Sequence, residues 1–261
     1  MVNIKKVYFL VSIKFYNIIY NSLYMKVLIK TILNIFDFFT QKKIINKIKF
    51  VLNTQRSISL IDVGSHKGEY ISSVIKNFQI NKIYGFEPND DIFNDLNKNF
   101  SSDKIHLYNC GVSNEKGEVI LNKNIESSSS SINNLNTNSK YYKKKFFLLN
   151  FLKLKEVTTK SKIQVVRLDD FMNKNNIKKL DLLKIDTEGF EYNAIKSVGS
   201  RIYDIKLIHI EHHFDDMIIK NYTLSDIHEY LKNKGFIKFF KIKMKFRKSF
   251  EYLYKNENFK I

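Results

Sequence analysis

Two short apolar runs in this chain each end in an acid beside a turn-forming residue. They are Leu60-Ile61-Asp62-Val63-Gly64-Ser65-His66-Lys67-Gly68-Glu69-Tyr70 and Ile83-Tyr84-Gly85-Phe86-Glu87-Pro88. An apolar run of four to eight residues bounded by turn signals reads as a buried parallel strand. Gly64 allows a sharp turn after the first strand, and Gly68 allows the next helix to approach closely. The pair predicts a strand, a ligand loop, a helix and a second strand. Ligands of open α/β sheets sit off the carboxyl ends of the strands, where Asp62 and Glu87 fall.

The acids and the glycine spacing bear on the ligand. A dinucleotide fingerprint needs glycines at the first, third and sixth positions, so that a helix N-terminus meets a pyrophosphate. Counted from Gly64, those positions hold Gly64, His66 and Glu69. The fingerprint fails, and Glu69 puts negative charge where a pyrophosphate would sit. Asp62 suits the ammonium of an aminoacyl tail and Glu87 the two hydroxyls of a ribose, so the spacing favours S-adenosylmethionine over NAD. The bland alternative is an ordinary strand-turn-helix with no ligand.

Downstream, residues 89–100 read as a helix with acids in its first turn. Ile105–Tyr108 reads as a third strand, ending at Asn109-Cys110-Gly111, and Gly117 to Leu121 as a further short strand. Ile163 to Leu168 resumes strand character. A second block, Asp181-Leu182-Leu183-Lys184-Ile185-Asp186-Thr187-Glu188-Gly189-Phe190-Glu191, is a buried strand ending in alternating acids, with a helix over 190–198. Lys206 to His213 is another strand with a polar end. A helix over 225–234 is expected between Ser225 as N-cap and Gly235 as C-cap. Phe236–Lys243 and Phe250–Tyr254 alternate like a closing hairpin. This alternation is that of a doubly wound α/β sheet with one antiparallel edge strand.

Charge is unevenly distributed in this chain of net charge +18. Residues 1–56 carry ten Lys/Arg against one Asp, residues 140–162 eight against one, and residues 232–261 ten against two. The remainder is net acidic, which argues against a nucleic-acid enzyme, whose cleft is usually basic. Basic flanks suit an anionic membrane surface or a phosphorylated glycan, or simply a solvated lysine-rich periphery. Residues 7–39 are strongly apolar, but Lys14, Lys26, Lys30 and Asp37 interrupt any membrane-length run. Polar residues recur there at helical spacing, so residues 1–56 are expected as a basic apolar helical extension. It either packs on the core or a second copy, or lies on a membrane. The apolar run after Lys5-Lys6 is short and lacks a small-residue cleavage site, which argues against a signal peptide. The single Cys110 excludes an internal disulfide and fits a reducing, cytoplasmic setting, with the inner membrane surface as the peripheral alternative. The polar stretch from the serines 127–131 through the basic segment to 161 reads as a flexible linker or as a lid over the site.

In order and spacing, Asp62-Val63-Gly64, Phe86-Glu87-Pro88, Ser127–Ser131, Leu168-Asp169-Asp170-Phe171, Lys184-Ile185-Asp186-Thr187-Glu188-Gly189-Phe190-Glu191 and Ile210-Glu211 resemble the FkbM-type S-adenosylmethionine-dependent methyltransferases. The resemblance covers residues 58 to 213. It implies a mainly parallel, Rossmann-like seven-stranded sheet with an antiparallel last strand, here spanning 57–261, and O-methylation of a sugar or polyketide-type hydroxyl. It also implies cofactor contacts from Asp62, Gly64, Ser65, Gly68, Tyr70, Glu87, Pro88, Asn109, Cys110 and Gly111. Asp62 and Gly64 would line the methionine moiety, Glu87 the ribose, and residues 109–111 the adenine. Ser65-His66 departs from the family's common Ala-Asn, and the basic stretch 133–161 is an insertion.

Methyl transfer from a sulfonium is an in-line displacement whose acceleration comes mainly from positioning. Asp186 or His212 is the expected proton acceptor, with Glu188 orienting the hydroxyl. For Asp186 and Glu188 the alternative is a helix N-cap with acids in its first turn, and His209 reads as a core histidine with its hydrogen bonds met. The acids and histidines could instead bind Mg²⁺. The acceptor is expected to be a small molecule or a glycan hydroxyl. Competing readings are a nicotinamide oxidoreductase, a non-catalytic membrane-associated scaffold and a glycosyltransferase. No Asp-x-Asp pair stands at a strand end to support the last.

Overall fold

The computed structural model describes residues 27, 31–33, 35–52, 56–123, 130–140, 142, 143 and 159–259. The strands, in chain order, are β1 (Ile58–Val63), β2 (Ile80–Phe86), β3 (Ile105–Tyr108), β4 (Gly111–Val112), β5 (Gly117–Lys123), β6 (Thr159–Val166), β7 (Leu180–Ile185), β8 (Ile205–His213), β9 (Phe236–Lys243) and β10 (Ser249–Asn256). The helices are α1 (35–51), then α2 (Glu69–Asn77), α3 (Asp90–Asn99), α4 (Leu168–Lys174), α5 (Glu191–Lys196) and α6 (Leu224–Asn233).

Seven strands form one sheet in the order β3-β2-β1-β7-β8-β10-β9. β1, β2, β3, β7 and β8 pair in parallel, and β10 is antiparallel to both of its neighbours. All six residues of β1 are buried, as expected of a strand covered on both faces. On one face Ile44 and Ile48 of α1, Ile71 and Val74 of α2 and Leu96 of α3 share a core with Leu60, Ile83, Leu182, Leu207 and Leu253. On the other, Phe171 and Met172 of α4, Ala194 and Ile195 of α5 and Ile227 and Leu231 of α6 cover Ile61, Phe86, Leu183, Ile185, Ile208 and Ile210. The result is a three-layer α/β/α sandwich. Residues 35–52 of the basic extension are part of its core, through Ile44, Ile45, Ile48 and Leu52. Residues 1–26 lie outside the described residues, as do the serines 127–129 and residues 144–158.

Three local expectations are corrected. The antiparallel strand is last in the chain but not at the sheet edge. The hairpin folds back so that β10 pairs with β8 and leaves β9 outermost. Gly117 to Leu121 and Ile163 to Leu168 do not join the main sheet: β5 and β6 pair with each other and with β4 in a separate three-stranded sheet. The N-cap of α6 is Thr223 rather than Ser225. Its hydroxyl accepts from the Asp226 amide while the Asp226 carboxylate accepts from the Thr223 amide, a reciprocal pair that satisfies two helix-end donors.

Gly68 caps α2 at φ 85, where a Cβ would stand 2.2 Å from the Phe100 ring. The absence of a side chain lets the start of α2 meet the end of α3. Gly68→Ala combines a left-handed backbone with a steric clash, so a loss of about 2–4 kcal/mol is expected. Urea denaturation checks it, and an unchanged midpoint would refute it.

Candidate functional site

The chain leaves β1 toward β2 and β3 on one side, and β7 toward β8 on the other. Between β1 and β7 the strand order reverses, which opens a crevice at their carboxyl ends. A cavity of about 590 Å³ occupies it. Of the residues picked out from the sequence, Asp62, Gly64, Ser65, Tyr70, Glu87, Pro88, Cys110, Gly111, Asp186 and Glu188 line this cavity.

Backbone geometry fixes the loops. Gly64 has φ 84, and a Cβ there would lie 1.8 Å from the Asp186 carbonyl oxygen, so the ends of β1 and β7 meet only because this residue has no side chain. The amides of Gly64 and Ser65 both donate to the Phe86 carbonyl, at 2.9 Å each. The Glu87 carboxylate accepts from the His66 amide through Oε2 and from the Asn89 amide through Oε1, each at 2.9 Å. These two bonds clamp the carboxylate at the cavity wall and leave lone pairs for hydroxyl donors. Burial nevertheless raises the Glu87 pKa, the two amide bonds offsetting only part of it.

Register builds the cavity floor. Asp62 on β1 is aligned with Lys184 on β7, and Lys184 with His209 on β8. Aligned residues on neighbouring strands project from the same face, so a row of ionisable side chains lies side by side beneath α1 and α2. Glu211 and Glu251 face each other one step further along β8 and β10. The Lys184 Nζ is 3.3 Å from Asp186 Oδ2 and 3.8 Å from Glu251 Oε2. His209 Nε2 is 2.8 Å from Glu251 Oε2, and His209 Nδ1 is 3.0 Å from the Tyr70 hydroxyl. His209 is thus a core histidine with partners that also lines the cavity.

The electrostatics follow from this packing. Burial would lower the Lys184 pKa, but Asp186 and Glu251 overcome it and hold the ammonium charged. Burial likewise opposes ionisation of Glu251, yet Lys184 and His209 pull that carboxyl down to about 2. Asp62 is pushed up to about 7 by burial, with Lys184 compensating only in part. Its Oδ2 is buried and has no hydrogen-bond partner among the described residues. Glu211 rises well above the usual range through burial and the neighbouring Asp186 and Glu251 charges. Burial pushes the Cys110 thiol up to about 11, leaving an unreactive apolar wall.

Three of the sequence-derived residues fall elsewhere. His212 does not reach the cavity. Alternation along β8 sends Glu211 toward α1 and α2 and His212 to the opposite face, where its Nδ1 is 3.6 Å from Glu191 Oε2. Gly68 shapes helix packing off the cavity. Asn109 supports it from behind, donating through Nδ2 to the Glu87 carbonyl at 3.0 Å. Glu188 sits at φ 49 in the turn after β7, with Oε2 3.3 Å from His213 Nε2. Of the serine run, Ser130 and Ser131 line the cavity, and the Ser131 hydroxyl donates to the Glu188 carbonyl at 2.7 Å. The serine run that precedes the basic insertion is therefore tied to the loop carrying Asp186 and Glu188.

Sequence reasoning missed Lys184, Glu251 and Arg247 as cavity residues. The signal lay in strand phase. Ile58-Leu60-Asp62, Leu182-Lys184 and Leu207-His209-Glu211 each turn from apolar to ionisable along one buried face, and Glu251 lies two residues from buried Leu253. Among the described residues, no group of three or more His, Cys, Asp or Glu is arranged to hold a metal ion.

The methyltransferase FkbM domain profile matches residues 62–238, which include β2, β3, β7 and β8 of the main sheet in full, the end of β1 and the start of β9, but not β10. No curated protein matches. Among solved structures, the chain is similar to methyltransferase FkbM from Methylobacillus flagellatus KT, with 15% identity over 76% of this chain and a TM-score of 0.48. It spans 44% of the length of that protein. It is also similar to magnesium protoporphyrin IX methyltransferase from Synechocystis PCC 6803 with bound SAM, with 8% identity, 85% of this chain, 81% of the other and a TM-score of 0.49. TrmK of M. capricolum in complex with S-adenosyl-homocysteine aligns at 10% identity over 82% of this chain and 68% of the other, with a TM-score of 0.43.

The charged floor sets a pH dependence of stability. Asp62 titrates near 7 in the fold but as an ordinary carboxyl when unfolded, so its contribution rises as pH falls from about 8 toward 4. His213, held near 10 against burial chiefly by Glu188, is stabilising below its unfolded value of about 6.5 and loses that contribution as pH rises through 10. Glu251 and Glu191, held near 2, act oppositely, and their contribution is lost as pH falls from about 4.5 toward 2. Urea melts from pH 3 to 9 should give greatest stability near pH 5, and Asp62→Asn should flatten the alkaline limb. Stability that rose steadily to pH 8 would contradict this assignment.

Proposed function

The chain belongs to the FkbM methyltransferase family, and we propose that it transfers a methyl group from S-adenosylmethionine to a hydroxyl of a sugar or lipid-linked saccharide. One observation carries this reading: the unpartnered, buried Asp62 Oδ2 at the end of β1, across the cavity from the amide-clamped Glu87 at the end of β2. The first suits an ammonium and the second a ribose diol, the two polar ends of an adenosyl amino acid. The apolar wall of Phe86, Cys110 and Val112 suits the adenine between loops.

Bound S-adenosylmethionine supplies a sulfonium-activated methyl group. The chain's own task is to hold an acceptor oxygen in line with it, a positioning effect of roughly 7–11 kcal/mol in favourable cases. Asp186, at the carboxyl end of β7 and 3.3 Å from Lys184, accepts the hydroxyl proton on its carboxylate. Glu188 orients the acceptor, its own carboxylate fixed by His213. Glu211 takes over the facing position that His212 does not occupy. Ser131 and Ile132 line the same cavity. The acidic floor favours a neutral acceptor over an anionic one, which supports a sugar hydroxyl.

Two measurements test the reading. An ammonium ligand requires the Asp62 carboxylate, so affinity for S-adenosylhomocysteine should fall about tenfold per pH unit below 7, with proton uptake by the free protein. In Asp62→Asn the affinity should drop about 10–100-fold and lose this slope. Equal affinity at pH 5.5 and 7.5 in the parent protein would reject the assigned partner. Asp186→Asn should lower kcat by about 10²–10⁴ with binding of S-adenosylhomocysteine little changed. A panel of free hexoses, nucleotide-linked hexoses and a polyprenyl-linked saccharide, assayed with methyl-labelled donor, tests the acceptor class. Labelling of none of these, with RNA or a porphyrin labelled instead, would overturn it.

A further inference from the structure

The rim of the cavity combines exposed aromatic rings with a local excess of basic over acidic residues. Phe38 and Phe39 of α1 are 62% and 56% exposed, and Phe246 at the β9–β10 turn is 71% exposed. The two elements adjoin, since the Phe36 and Phe246 rings are 5.1 Å apart and Arg247 is paired with Asp37 at 2.5 Å. Phe38 and Arg247 also line the cavity itself. On α1 the outward stripe runs through Ile35, Phe39 and Phe50, all exposed, with Lys42 and Lys43 beside them, and Ile32 just ahead of the helix is exposed as well. Asp37, the one acid between residues 27 and 52, is turned inward to Arg247. From Phe236 to Phe250 there are six Lys/Arg and no acid.

Phe246 is unusual in its backbone as well. Its φ is 63, the left-handed region, which a bulky aromatic residue adopts at a cost. Asn or Gly would adopt that backbone more readily, and the ring keeps an edge contact with Phe36 while most of its surface faces solvent.

Exposed aromatic and aliphatic side chains interleaved with lysines, without acids, are complementary to an anionic bilayer: rings enter the acyl boundary while ammonium groups meet lipid phosphates. We infer that the outer face of α1 and the β9–β10 turn dock on an anionic lipid surface, which seats the mouth of the cavity against the membrane. A nucleic acid fits less well. Ile32 and Ile35 offer no stacking plane, and eight acids line the cavity just inside the rim, which would repel a phosphodiester chain. No helix among the described residues is long and apolar enough to cross a membrane. This inference goes beyond the methyl-transfer reading and is independent of it.

Flotation of the full chain with vesicles tests it. The protein should bind phosphatidylcholine vesicles containing phosphatidylglycerol, bind pure phosphatidylcholine about tenfold less, and dissociate as salt is raised. Phe39→Gln with Phe246→Asn should reduce partitioning about tenfold, as should Lys43→Gln with Lys245→Gln. Phe246→Asn relieves the strained turn, so its melting temperature should hold or rise, and S-adenosylhomocysteine titration reports separately on the cavity. Failure of the parent protein to bind anionic vesicles overturns the inference. So does binding that all four substitutions leave unchanged, a concentration-dependent dimer abolished by the same substitutions, or a shift of single-stranded RNA at similar affinity.

Discussion

The site depends on one buried ammonium. Lys184 lies in register between Asp62 and His209 and within 4 Å of Asp186 and Glu251. Several carboxylates at the carboxyl ends of β1, β7, β8 and β10 would repel one another in a medium of low polarity, and each would resist losing its water. The Lys184 charge allows Glu251 to remain ionised, while Asp62 and Glu211, less well compensated, are shifted toward protonation. One cation thus divides the carboxyls into structural anions and groups ready to respond to a ligand.

That division connects architecture to chemistry. The apolar parts of the same strands build the core beneath α1, α2 and α3, and their final residues build the floor of the cavity. Glycine works at the junction: Gly64 allows β1 and β7 to converge, and Gly68 allows α2 to start close to α3. The loops are then held by backbone bonds to Phe86 and Glu87, so the carboxylate that Glu87 presents to the cavity is held in one orientation. Such orientation lowers the ordering cost of binding.

Much of the sheet and part of the cavity could be read along the chain. Continuous apolar runs marked β1, β2, β7 and β8, and the glycine spacing separated this loop from a dinucleotide site. Asp62, Glu87 and Asp186 were reachable because each directly follows apolar residues of a strand, and Glu188 because it alternates with Asp186 in the turn after β7. His212 misled because three polar residues in succession, Glu211-His212-His213, conceal which phase of the strand faces the crevice. Glu251 and Arg247 were missed because they lie far along the chain in a hairpin whose pairing partner the sequence does not specify. The separate sheet of β4, β5 and β6 escaped for a similar reason, since a short strand carries no mark of which sheet it joins.

The sequence by itself determined the alternation of strands and helices, the turn at Gly64 and the acids at the strand ends, since these follow from local periodicity and backbone sterics. Only the tertiary structure decided which face each acid occupies, that β10 lies inside the sheet, and that Lys184 sits among the carboxylates. Those outcomes depend on register between strands distant in sequence, and a shift of one residue would send every side chain to the other face.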